Sequence, residues 1–451
     1  MRERGEPRRL TRRDALKLGG AAGAFALVPG LLAACGGGGS TGGGSTENVT
    51  LTFWDTNAGP DRTPVWQHLI NQFEASQRHI KVQYVGVPEA QYVEKLQTAI
   101  AGGQVPDVAN PGLADISPFI AQNGLLPLDK YFNGWSGKSD FSSDVVASVR
   151  SVAPDQKLYM IPYSADVNVL YYRKDLLQKA GLPAPTTWND FYKDAAALTQ
   201  PSQGMYGFGL RGGSGSAVTL ESWLYAASGI TNYFDKQGKA TLDQPAMVTA
   251  LERWAAMYGK DTSKSDLGNE YRAMTAEFDS GHAAMIFHNL GSYPGHVKAL
   301  GAANVGVIVL PPAPTGKTTL EGESFLGNMI LRGSKYPQQA WTFIQFLSSP
   351  TSQSYFNQQI GQIPADIKAA NEAWVKTNVA VQAAKAGLDG KDTVIVSPPW
   401  YLPAYTTAQL QMEPNVQKVL LGQLSAKSFL QQWASLMTTA EAQYKKAHSH
   451  R

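Results

Sequence analysis

The sequence predicts an α/β fold in two lobes, and three observations predict it. Strand and helix patterns alternate from Val49 onward in the order β-α-β-α-β. The same alternation resumes with new strands from Val167. The chain has 451 residues, 43% hydrophobic and 17% charged, which is too apolar for a disordered chain and too long for one core.

Val49-Thr50-Leu51-Thr52-Phe53-Trp54 is rich in β-branched and aromatic residues and reads as a strand. Pro64 to Ala75 carries Val65, Leu69, Ile70 and Phe73 at helical spacing. Ile80 to Val87 is a second strand, Ala90 to Ala101 a second helix stopped by Gly102-Gly103, and Val105 to Ala109 opens a third strand. This order implies a parallel sheet covered by helices, on which ligands collect at the carboxyl ends of the strands. Further along, Val167–Tyr172, Ala283–Phe287 and Val305–Leu310 read as strands. Trp188–Leu198 reads as a helix capped by Thr186-Thr187, and Pro337–Leu347 as an amphipathic helix with Ala340, Phe343, Ile344 and Leu347 on one face.

The first 35 residues have the three parts of an export signal. The basic n-region contains Arg12-Arg13 in Thr11-Arg12-Arg13-Asp14-Ala15-Leu16-Lys17, which resembles a twin-arginine pattern. Leu18 to Leu32 is apolar, but four glycines dilute it and it is short for a spanning helix. Leu32-Ala33-Ala34-Cys35 matches a bacterial lipobox, so Cys35 is expected to be acylated and the body lipid-anchored on the outer face of the cytoplasmic membrane. Residues 36–48 follow as a Gly/Ser-rich linker, whose flexible part gives a reach of about 20 Å.

The leader also explains the charge. Residues 1–34 hold seven of the 39 basic and three of the 36 acidic residues, so the formal net charge of +3 falls to −1 for residues 35–451. That body has no electrostatic footprint for nucleic acid. Cys35 is the single cysteine, so no internal disulfide forms.

Several segments, in order and spacing, resemble the family 1 extracellular solute-binding proteins, which include maltose-binding protein. They are Leu51–Trp54, Gly103-Gln104-Val105-Pro106-Asp107-Val108, Gly124–Leu128, Lys157–Pro162, Leu170–Leu176, Pro183–Asp190, Phe278–Met285, the late helix after Ser334-Lys335-Tyr336-Pro337, and Gly361-Gln362-Ile363-Pro364. The resemblance implies a type II periplasmic-binding-protein fold, with hinge strands between two lobes and a ligand cleft that closes. It implies a monomer with an ABC permease as partner, no cofactor and no catalysis. By position, lobe 1 would be 49–162 and 328–370, and lobe 2 would be 165–325 and 390–451. Residues 371–451 match least.

Closure requires ligand contacts from both lobes. The candidates on the first lobe are Trp54, Asp55, Asn57 and Asp115. At the hinge they are Tyr163, Asp166 and Asn168, and on the second lobe Trp223, Asn289, Tyr293, Gly322, Ser324 and Trp400. Asp and Asn suit sugar hydroxyls, which both donate and accept, and aromatic rings suit the apolar faces of sugars. Other roles stay open: Trp54, Trp223 and Trp400 also suit a core, and Asp115 also suits a helix cap. Tyr293 stands where relatives often carry Trp.

His282, His288 and His296 lack the spacing of a metal motif, and the Gly207–Gly213 run lacks a phosphate-loop pattern. Tyr171-Tyr172 resembles the paired tyrosines of iron binders, but neighbours in a strand face opposite ways. The candidates include no Arg or Lys, which points to a neutral polyhydroxylated ligand, a mono- or oligosaccharide. The alternatives are a polyamine, phosphate ester or peptide bound by the same fold, and a secreted carbohydrate-active enzyme with paired carboxylates.

Overall fold

A computed structural model describes residues 48–321 and 324–449. Arg12, Arg13 and Cys35 of the leader, the linker up to residue 47, and Gly322 lie outside the described residues.

The strands are β1 (Val49–Asp55), β2 (Ile80–Gly86), β3 (Val108–Ala109), β4 (Ile161–Asp166), β5 (Asn168–Arg173), β6 (Met285–Asn289), β7 (Val305–Ile308), β8 (Thr318–Glu321), β9 (Ser324–Ile330), β10 (Ile363–Pro364) and β11 (Thr393–Val396). One sheet has the order β10-β4-β9-β3-β1-β2, a second β6-β5-β7, and a third β11-β8. The expected parallel arrangement holds for β1 with β2 and β1 with β3. Beyond β3 the sheet continues antiparallel through β9, β4 and β10. The second sheet is antiparallel throughout.

The six-stranded and the three-stranded sheet each anchor one half of the protein. In β1, Val49, Leu51 and Phe53 alternate inward. Phe53 meets Trp66 and Phe343 edge-on, at 5.2 and 5.6 Å between ring centroids. These partners come from the helices Thr63–Ser76 and Pro337–Leu347, which pack on the first sheet. Asp107 of the Pro106-Asp107-Val108 motif accepts from the Thr52 amide at 2.8 Å and from the Ser334 hydroxyl at 2.5 Å. It thereby ties β1 to the turn that follows β9.

The second half is built around aromatic packing. The helix Trp188–Leu198 starts with a full capping box: the Asp190 amide donates to Thr187 Oγ1 at 3.1 Å and the Thr187 amide donates to Asp190 Oδ2 at 3.0 Å. Gly207 lets the next segment run against this helix, since a Cβ there would lie 1.8 Å from the Ala195 carbonyl oxygen. The helix Val379–Leu388 packs on β7, and the helix Tyr405–Leu420 packs on Ser216–Ser228 and Ala426–His448, so these late segments belong with the second sheet.

Two strand passages connect the halves. β4, in the first sheet, is followed after Val167 by β5, in the second. The chain returns through β9, whose first residue, Ser324, pairs with Asp166. Among the described residues no helix is long and apolar enough to cross a membrane.

Candidate functional site

The carboxyl end of β1 begins the site. Asp55 is buried there; its carboxylate accepts from Tyr84 Oη at 2.7 Å and from Asn110 Nδ2 at 3.2 Å. Burial raises its pKa, against the opposing effect of those donors and the nearby Arg62 charge. The Thr56 amide donates to Asn110 Oδ1 at 2.8 Å. This buried polar group fixes the turn that presents Asn57 through Arg62.

That turn faces residues of the second half across a cavity of about 330 Å³. Asn57, Asp61, Arg62 and Glu89 line one side, and Arg211, Tyr271, Arg272, His288, Asn289 and Ser292 the other. Tyr271 Oη donates to Asn57 Oδ1 at 3.3 Å, and Arg272 Nη2 donates to the Ala58 carbonyl at 3.3 Å. The Tyr271 ring stacks on His288 at 5.4 Å with an 11° interplanar angle. The Arg272 and Arg211 guanidinium carbons stand 4.5 and 5.7 Å from the Tyr271 ring centre. His288 bonds Ser292 Oγ through Nδ1 at 2.5 Å; its burial, followed by the nearby Arg211 charge, holds its pKa well below the usual range and keeps it neutral.

The hinge lies behind this wall. Gln362 Nε2 donates to Asp166 Oδ2 at 2.6 Å, and Ser164 Oγ donates to Gln362 Oε1 at 2.9 Å. Burial raises the pKa of Asp166 to about 6, with the Arg62 charge and the Gln362 amide opposing. Tyr163 is buried, edge-on to Trp66 and Phe356 at 5.3 and 5.0 Å.

Asp115 marks a second contact between the halves. It accepts from Tyr92 Oη and, at 3.1 Å, from Thr406 Oγ1. The helix Ser117–Ala121 has no side-chain cap, so Asp115 does not serve as one. Burial raises its pKa to about 6, against the lowering effect of both hydroxyls. Nearby, Ser117 Oγ donates to the Tyr401 carbonyl at 2.8 Å.

Of the sequence candidates, Asn57 and Asn289 line the cavity. Asp55, Tyr163 and Asp166 stand behind its wall, close enough to Arg62 to share its field. Asn168 pairs with Asn289 in the second sheet. Trp54 is half-buried against the first core. Tyr293 and Trp400 are buried in the core and do not line the cavity. Trp223 is 1% exposed, with rings of Trp188, Phe191, Phe208 and Phe287 at 4.9 to 5.5 Å, so it sits in the second core.

Sequence reasoning missed the arginines of the cavity. The candidates held no Arg, yet Arg62, Arg211 and Arg272 all line it. Arg62 had a readable signal, because it ends the Gly59-Pro60 turn after β1, at the carboxyl end where ligands gather. Arg211, Tyr271 and Arg272 gave none; only the fold brings them to β1. Among the described residues no group of three metal-ligating side chains stands close enough to hold a metal ion.

The overall likeness agrees with the two-lobed α/β fold. The chain is 27% identical over 412 residues to the erythritol/L-threitol-binding protein of Mycolicibacterium smegmatis, covering 80% of this chain and 85% of that one. The GacH receptor of Streptomyces glaucescens, solved unliganded and with acarbose, matches with a TM-score of 0.75 at 25% identity over 88% of this chain and 97% of that one. An ABC transporter solute-binding protein from Thermotoga lettingae, solved with α-D-tagatose, matches with a TM-score of 0.77 at 22% identity over 87% and 99%. The sequence pattern of the family described as bacterial extracellular solute-binding protein matches residues 59–354, and the chain belongs to that family.

Proposed function

We propose that the protein is the extracytoplasmic substrate-binding component of an ABC importer and that it captures a sugar or polyol between its two halves. The observation that carries this reading is the polar cavity walled from both sides, with Asn57 facing Tyr271 across it. Hydroxyl groups both donate and accept, and this wall offers amides, a phenol, a neutral imidazole and guanidinium groups to meet them. The names of the relatives, an erythritol/L-threitol binder and receptors solved with acarbose and tagatose, support the same class.

Binding would stabilise the closed arrangement, because only that arrangement contacts ligand from both sides. A permease in the membrane would then receive the closed, loaded monomer. On this reading the protein performs no catalysis, Arg12-Arg13 direct export, and acylated Cys35 keeps the protein at the membrane surface.

Thermal-shift screening against a saccharide and polyol library tests the ligand class. A rise in Tm with at least one saccharide or polyol, without cleavage products, is expected. A shift with a polyamine or oligopeptide and with no saccharide or polyol would overturn it. Membrane fractionation of Cys35→Ser tests the anchor: the variant should leave the membrane fraction.

A further inference from the structure

Arg62 is 6% exposed and lines the cavity. Among the described residues its guanidinium makes no hydrogen bond, and the one carboxylate within 4.0 Å is Asp61; the buried carboxylates of Asp166 and Asp55 act on it from behind, at longer range. Charge-assisted bonds of this kind run about 2.7–2.9 Å, so this contact leaves the donors of Arg62 open. A buried cation without acceptors is costly. The open side of this one is the cavity.

Two further guanidinium groups face the same space. The Arg211 side chain is 10% exposed, with its nearest carboxylate, Glu89, at 3.8 Å. The Arg272 side chain is 32% exposed, with Asp61 at 3.7 Å. Asp61 and Glu89 also line the cavity, but at 50% and 41% exposed they are the more solvated partners, while Arg62 and Arg211 are the more buried ones. The remaining acid, Asp279, is taken by His296 Nδ1 at 2.6 Å. His288 adds no charge. The guanidinium groups of the lining are therefore left without a close carboxylate, although the charges of the whole lining balance.

We propose that the cavity takes an acidic saccharide, whose single anionic group (a carboxylate or a phosphate ester) is held by Arg62, with Arg211 and Arg272 beside it. The inference rests on the sugar-binding reading and narrows it. A carboxylate or phosphate accepts the paired N–H groups of a guanidinium in one plane, which a lone hydroxyl does not. At about 330 Å³ the cavity is near the small end of the ~300–1,000 Å³ range of ligand pockets, which suits one or two rings.

Isothermal titration calorimetry on the protein tests this, with galacturonate and glucuronate set against galactose and glucose, and glucose 6-phosphate as the phosphate arm. An acidic sugar should bind at least about tenfold more tightly than its neutral counterpart. The arm that shows the preference identifies the group. Arg62→Gln should bring acidic and neutral sugars to within about twofold of each other, and Arg272→Gln, at a more exposed site, should reduce the ratio even if Arg62→Gln does not fold. Neutral sugars binding as tightly as acidic ones would overturn the inference and leave the sugar reading standing. No binding by any of these saccharides would overturn this inference, and silence across the wider saccharide and polyol library would overturn the sugar reading as well.

Discussion

Tyr271 Oη and Asn57 Oδ1 lie 3.3 Å apart although 214 residues separate them in the chain. The bond joins a helix of the second half to the turn after β1 in the first. Its length makes it a weak bond, and removing it should cost about 0.5–1.5 kcal/mol of closure. Tyr271→Phe keeps the ring against His288 and Arg272 and removes only the hydroxyl. Affinity for the bound sugar is expected to fall about three- to tenfold with little change in the Tm of the unliganded protein, as read by calorimetry and by thermal melting.

Trp223 separates core from site. Its ring is surrounded by Trp188, Phe191, Phe208 and Phe287. Trp223→Ala should destabilise the fold by about 3–5 kcal/mol, measured by urea denaturation. Trp223→Phe should recover most of that loss and bind the sugar with near wild-type affinity. A large affinity loss in a well-folded Trp223→Phe would place the ring in the binding surface instead.

Asp115 gives a pH signature. Its folded-state pKa is raised to about 6 from an ordinary value of 3.8, so the folded protein holds this proton more tightly than the unfolded chain. The associated stability is full below the ordinary carboxylate range and is lost as pH rises through about 6. Asp115→Asn lacks this loss. Its stability relative to the wild type should therefore improve between pH 5 and pH 7, by on the order of 1–2 kcal/mol for this half-buried group. Urea midpoints at the two pH values check the sign.

Asp55 supports the site from behind. Asp55→Ala would leave the Tyr84 hydroxyl and the Asn110 amide without their acceptor. Buried donors stranded in this way cost about 1–3 kcal/mol. Both the urea midpoint and the sugar affinity should fall, because the same group sets the turn carrying Asn57 and Arg62. Unchanged affinity in the folded variant would show that the turn holds its shape without Asp55.

The elements that read well from sequence were those with strong local signals. Val49–Asp55, Trp188–Leu198 and Pro337–Leu347 follow directly from alternation, a Thr cap and an apolar stripe. The antiparallel continuation of the first sheet did not, because β9 meets β3 and β4 from far along the chain and pairing partners leave no local mark. The site followed the same rule. Asn57 was found from its place after a strand, and Asn289 was named among the candidates of the second lobe. Arg211, Tyr271 and Arg272 escaped because helix and loop residues carry no sign of which strand end they will face. Trp223 could be assigned to either role, since an indole suits a core and a sugar face equally. Its four ring neighbours come from segments that only the fold assembles.

Direct bonds between the halves, among them Tyr271 to Asn57, Arg272 to the Ala58 carbonyl, Thr406 to Asp115 and Ser117 to the Tyr401 carbonyl, bear on selectivity in a particular way. They supply part of the drive to shut before any guest arrives. The apparent affinity for a guest scales with the fraction of empty molecules already competent to receive it. Loosening a latch remote from the guest, such as Ser117 with Tyr401, therefore moves the half-saturation point of every guest by one common factor and leaves their rank order untouched.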